Sequence, residues 1–249
     1  MRTSIIIAWM VSLLTGCGND EAGESQIVTP SSSVISSQDE NSEFELSGIW
    51  VNKTYKDKLE ETKSPRIAQD ASEITFLIIS GSDKSVTMIY NYHEGVTGEL
   101  AYENNGYKLQ FDNSDEYSIS STENAQKLRL NGTQFEKAIY SDDDHTFDLI
   151  EQIVFAGDYD LNGEKITFTH DGQIKGDPLL TEYTVVADYL DIGLDVDQLY
   201  LGNGFHHDKL GFKFVGDTLR IYELKCLEKL DDQCMQVDFG EQVYELVKK

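Results

Sequence analysis

Basic residues are scarce in this chain: 20 Lys and Arg stand against 45 Asp and Glu, a formal charge of −25. Recognition of a phosphate backbone needs clustered cations, and no Lys/Arg stripe exists here, so nucleic acid is excluded as a partner and anionic membrane faces are disfavoured. Proline occurs only three times and cysteine three times. The first scarcity rules out a Pro-rich linker protein, and the second a cysteine-dense secreted scaffold. No apolar run approaches the ~20 residues of a membrane-spanning helix. Motifs for nucleophilic catalysis (Gly-x-Ser-x-Gly, Ser-x-x-Lys, a Cys/His arrangement) are missing, as are a redox Cys-x-x-Cys and a phosphate-cradling glycine loop ahead of a helix. No cofactor is expected. What is present is 39% hydrophobic and 10% aromatic residues, with 13 Tyr and 11 Phe, which suits a folded protein built from strands.

The strongest motif lies at the N-terminus. Met1 and Arg2 form a minimal positive region, residues 5–14 carry no charge, and Leu14-Thr15-Gly16-Cys17 follows directly. A stretch this short reads as the apolar region of an export signal. The segment resembles the lipobox of bacterial lipoproteins, which implies cleavage before Cys17, a diacylglyceryl group on its thiol and acylation of the new amine. Two or three acyl chains, at ~0.8 kcal/mol per buried methylene, anchor a protein stably where one does not. Gly18 follows in place of the Asp of the inner-membrane retention pattern, so the expectation is a lipid-anchored cell-envelope protein, in the outer membrane rather than the inner, with its membrane face left open.

Residues 17–43 are Ser-rich and polar, and read as a flexible tether. From residue 44 the pattern changes. A helical stretch is expected over 52–71, interrupted or bounded by Pro65. Strand-like runs follow at 74–79, 86–92, 107–111, 117–120 and 128–130, separated by turn residues such as Asn131-Gly132. A later helix is expected over 143–154, ended by Gly157. A second β section then runs through 166–168, 183–187, 199–201, 210–214, 219–226, 234–239 and 243–247. The expected layout is a signal at 1–16, the lipidated Cys17 and tether at 17–43, a first β section at 44–141 and a helix with a second β section at 142–249.

The two sections echo each other. Leu46-x-Gly48-x-Trp50 opens the first and Phe155-x-Gly157-x-Tyr159 the second, and Lys127-Leu128-Arg129-Leu130 matches Thr218-Leu219-Arg220-Ile221. Gly48-Ile49-Trp50 is similar to the Gly-x-Trp opening of lipocalin-like barrels. Gly157-x-Tyr159, Phe168-x-x-Asp171-Gly172, Tyr183-x-Val185 and Leu219-x-Ile221 together resemble the strand order of lipocalin-like domains in bacterial envelope lipoproteins. The resemblance implies a mainly β fold, as one antiparallel lipocalin-like barrel or two β sub-domains with one or two short helices. It also implies an apolar ligand, and it transfers no catalytic residue.

With Cys17 lipidated, Cys226 and Cys234 are the two thiols left. They bracket seven residues between two strand-like runs, and in an oxidising compartment a disulfide across a hairpin is expected, with a zinc pair disfavoured for want of further ligands. Asp158-x-Asp160-x-Asn162-Gly163 copies the first half of a calcium loop, but position twelve is Thr169, which favours a hairpin turn over an ion site. His206-His207-Asp208 and Asp142-Asp143-Asp144-His145 are the densest remaining ligand groups, and neither has metal spacing. Adjacent histidines in a strand would face opposite ways, so one ion could take both only in a loop, which Gly202-Asn203-Gly204 just before allows; solvated loop residues are the favoured reading. No catalytic residues are assigned. The leading expectation is a non-enzymatic module that presents a β domain to a small ligand, a glycan or an envelope protein. The alternatives are a lipocalin-like carrier of a small apolar ligand, and an envelope hydrolase using carboxylates or a histidine.

Overall fold

The computed structural model describes residues 46–91, 94–103, 106–111, 116–121, 126–138, 148–190, 193–204 and 206–249. The fold is mainly β, with two eight-stranded antiparallel barrel-like sheets and only short helices. The first is a closed meander of β1 (Gly48–Asn52), β2 (Ile74–Ile79), β3 (Ser85–Tyr90), β4 (Glu94–Glu103), β5 (Gly106–Gln110), β6 (Glu116–Ser121), β7 (Lys127–Leu130) and β8 (Thr133–Lys137), with β8 pairing back onto β1. The second repeats the order with β9 (Gly157–Leu161), β10 (Glu164–Phe168), β11 (Ile174–Lys175), β12 (Glu182–Val185), β13 (Gln198–Asn203), β14 (His206–Val215), β15 (Thr218–Leu230) and β16 (Gln233–Lys248). Its edges, β11 and β12, meet through the bridge Gln173↔Glu182 and the bonds Ile174 N–H to Thr181 O and Tyr183 N–H to Gly172 O.

Side chains alternate across each wall, and the inward rows fill both interiors. Trp50, Leu77, Met88, Leu109, Leu128 and Phe135 are buried inside the first sheet. The second is filled by aromatic packing, with the Phe155 ring 4.9 Å from Phe212, 5.4 Å from Tyr183 and 6.2 Å from Phe168. The outward Ile49, Val51 and Phe76 of the first sheet belong to the same apolar cluster as the interior of the second, so one core is continuous between them.

Helix α1 (Lys53–Thr62) lies in that seam. Asn52 caps it by accepting from Thr54 N–H and Tyr55 N–H, and Lys63 ends it in the left-handed region. Pro65 then opens α2 (Pro65–Ala68), where its missing N–H costs nothing, and Ser64 Oγ caps by accepting from Ile67 N–H. The expected 52–71 helix is thus two helices and a 3₁₀ turn (Gln69–Ala71), with Pro65 as the start of the second. Tyr55 and Leu59 turn into the shared core, and Asp197, next to β13, accepts from Ser64 Oγ at 2.5 Å and Arg66 N–H at 3.0 Å.

Of the helix expected over 143–154, residues 139–147 lie outside the described ones. The rest is α3 (Asp148–Ile150) continued by a π turn (Glu151–Phe155), in which Ala156 N–H reaches back five residues to Glu151 O. Strands β1, β4, β8 and β11 have no counterpart among the strand-like runs of the sequence. β4 is exposed along most of its length, with only Gly98 and Leu100 buried, so it carries no alternating apolar signal.

Candidate functional site

The structure sets the sequence echo in three dimensions. Trp50 Nε1 donates to Leu46 O at 2.8 Å, and Tyr159 Oη donates to Phe155 O at 2.7 Å, each reaching back four residues across a glycine with positive φ. Trp50 pairs in register with Lys137 of β8, whose Nζ lies 5.6 Å from its ring centre; Tyr159 pairs with Lys248 of β16, whose Nζ lies 5.7 Å away. The flanking bonds match too, Ala138 N–H to Ile49 O and Lys249 N–H to Asp158 O.

The two sheets differ where β15 and β16 run long, at 13 and 16 residues. β14 pairs with β15 only from Gly211↔Tyr222 to Val215↔Thr218. Register shifts on either side of Tyr222 turn β15 away, and beyond them it pairs with β16 alone as a two-stranded arm. Gly211 permits this course: a Cβ there would lie 3.0 Å from the Phe239 ring and 3.1 Å from Leu224 Cδ2. Gly193 N–H to Met235 O and Val237 N–H to Asp195 Oδ2 hold the arm against the loop before β13. The Cys226–Cys234 disulfide crosses the arm with the Cα atoms 5.8 Å apart.

Between β14 and the arm the wall is split, and the split is a cleft of about 560 Å³. Its apolar lining is Leu180, Leu201, Leu210, Leu224 and Tyr244, of which Leu180, Leu201 and Leu210 belong to the core. Its polar lining comes from His206, Asp208, Lys209 and Glu223. A second hollow of about 370 Å³, bounded by Gly193, Cys226, Gln233, Cys234 and Val237, shares Lys209 and Leu224 with the first. Leu179 and Val243 stand exposed at the edge.

The histidine pair lies in strand β14 and not in the solvated loop expected for it, because pairing with β13 begins at Asn203↔His206. His206 lines the cleft, whereas His207 faces outward with Nε2 2.8 Å from Glu182 Oε1. The calcium-like segment is the β9–β10 hairpin, with Asn162 (φ 56°) and Gly163 (φ 93°) at its turn. Asp158 binds Lys165 and Thr167, and Asp160 binds Lys249 and the Gly163 N–H. Those bonds, the lysine's foremost in each case, hold both carboxyls below the usual carboxylate value. Asp142-Asp143-Asp144-His145 lies outside the described residues, and among those described no three His, Cys, Asp or Glu gather as metal ligands do. Lys209, Glu223 and Tyr244 carry no signal in the sequence, because the cleft arises from strands that fail to pair. The runs expected at 234–239 and 243–247 are one strand, β16. Comparison with protein-family models, curated proteins and solved structures found no match to this chain.

Proposed function

We propose that the chain is a lipid-anchored lipoprotein of the cell envelope, held at Cys17 and spaced by residues 17–43, whose second barrel binds a ligand or partner segment in the cleft beside β14. The observation that carries this reading is the cleft itself: about 560 Å³, with leucines and a tyrosine at its floor and His206, Asp208 and Glu223 around it. A small-molecule or peptide site has this size, and this lining combines leucines with charged and polar side chains. A carrier with its ligand on a barrel axis is less well supported, because buried side chains occupy the described interior positions of both sheets.

The test is native mass spectrometry of the full chain, released gently from its host envelope, against a variant carrying Asp208→Lys and Glu223→Lys. Bound cargo on the wild type and none on the variant supports the cleft; cargo retained equally by both, or absent from both, contradicts it. Labelled palmitate incorporated by the wild type and not by Cys17→Ser tests the anchor.

A further inference from the structure

We infer that the cleft takes an extended peptide, which adds as a strand to the free flank of β14; this rests on the cleft reading above and names its ligand class. In the β13–β14 ladder Phe212 N–H donates to Asp197 O, which sets the alternation: even-numbered residues of β14 bond to β13, and odd-numbered ones direct N–H and C=O the other way. Gly211 and the odd residues after it meet β15. Among the described residues no strand pairs with that flank over 206–210, so His207 and Lys209 present their main-chain groups to the cleft. Across it, residues 223–230 of β15 pair with β16 on one side only.

The unpaired flank of β14 is a template for a further strand, with the arm folded over the outer face of β14 at Gly211. The two hollows lie along this flank and share Lys209 and Leu224, one toward the barrel interior and one toward the arm. A strand placed there would alternate its side chains between them. Residues turned inward would meet Leu201, Leu210 and Tyr244, which selects apolar side chains. Asp208 and Glu223 line the same hollow against a single lysine among its described residues, Lys209, and the chain's charge of −25 adds a negative field, which selects lysine or arginine next to the two acids. The partner is therefore an extended segment that mixes apolar and basic residues.

The probe is a short acetylated peptide in which valine and lysine take turns at every second position with serine between them, so that both face the inward hollow; it is titrated onto the full chain in detergent, with amide exchange read at His207 and Lys209. Binding with exchange at these two amides slowed by about tenfold or more is the expected result. The same peptide N-methylated at alternate amides is expected to lose at least about tenfold in affinity, because its side chains remain while its ladder bonds do not. Lys209→Pro removes the edge N–H but no bond to β13, and is expected to weaken binding similarly with its melting transition kept. Equal binding of the methylated peptide, unchanged exchange at both amides, or no binding at all overturns strand addition. A non-peptide cargo lost from the Asp208→Lys, Glu223→Lys variant would overturn strand addition and leave the cleft reading standing, whereas absence of any cleft-dependent binding overturns both.

Discussion

Trp50 and Tyr159 hold the same place in two successive barrels: each donates to the carbonyl four residues before it and lies beneath a lysine from the strand that closes its sheet. A Trp and a Tyr can replace each other here because both are flat, apolar and end in a single donor. Tyr159→Phe keeps the ring and removes the donor, leaving the buried Phe155 carbonyl without that bond. The expected loss is about 1–2 kcal/mol of stability in denaturant unfolding. Burial also raises the pKa of the Tyr159 hydroxyl far above 10, so the wild type is expected to lose stability in alkali, once the unfolded chain ionises first, by more than the variant does.

Asp197 joins the loop before β13 to α2, and burial raises its carboxyl above the ordinary 3.8 against the opposing bonds from Ser64 and Arg66 N–H and the nearby Arg66 charge and Tyr189 hydroxyl. The unfolded chain releases this proton first. The group's contribution is therefore complete below about pH 3.8 and declines as pH rises through the native value, at up to about 1.4 kcal/mol per pH unit. Asp197→Asn is expected to lack that slope, read as the difference between variant and wild-type denaturation midpoints across the acidic range. Asp197→Ala, which strands Ser64 Oγ and Arg66 N–H, is expected to cost about 2–3 kcal/mol at neutral pH.

The disulfide closes a short loop at the end of the arm, with a sequence separation of 8. Replacing both cysteines by serine is expected to remove roughly 2.5 kcal/mol, on the chain-entropy estimate for a loop of this size. The loss is expected to be local: amide exchange speeds up at Val237 and neighbouring arm residues, while Leu219 and Ile221, in the part of β15 that pairs with β14, stay protected.

Gly211 sets the distance between β14 and the arm. Gly211→Val places methyl groups where the Phe239 ring and Leu224 already sit, and is expected to cost about 1–3 kcal/mol and to displace the arm. Unfolding gives the first number. Binding of the valine/lysine peptide gives the second effect, because a moved arm takes Glu223 and Leu224 away from the cleft lining. An unchanged affinity would mean that the arm does not form the second wall of the site.

Local chemistry is legible in the order of residues alone. Residues 52–71 announce helix and a Pro65 boundary, Asn162-Gly163 a hairpin turn, Cys226 and Cys234 a clasp between strands, and the paired Gly-x-aromatic segments a repeat. Each depends on neighbours in sequence, through a cap, a positive φ or a short loop. The placement of His206 and His207 is not legible: the pair reads as a solvated loop, and only pairing with β13 draws it into β14.

The sequence by itself thus determined the β class, the turns and the matching starts of the two halves. Only the tertiary structure decided that there are two eight-stranded sheets, that the outer wall of the first is buried in the core of the second, and that β14 lies unpaired where the arm departs. Those outcomes rest on pairings between distant strands and on register shifts beside Tyr222, which no local pattern of residues encodes.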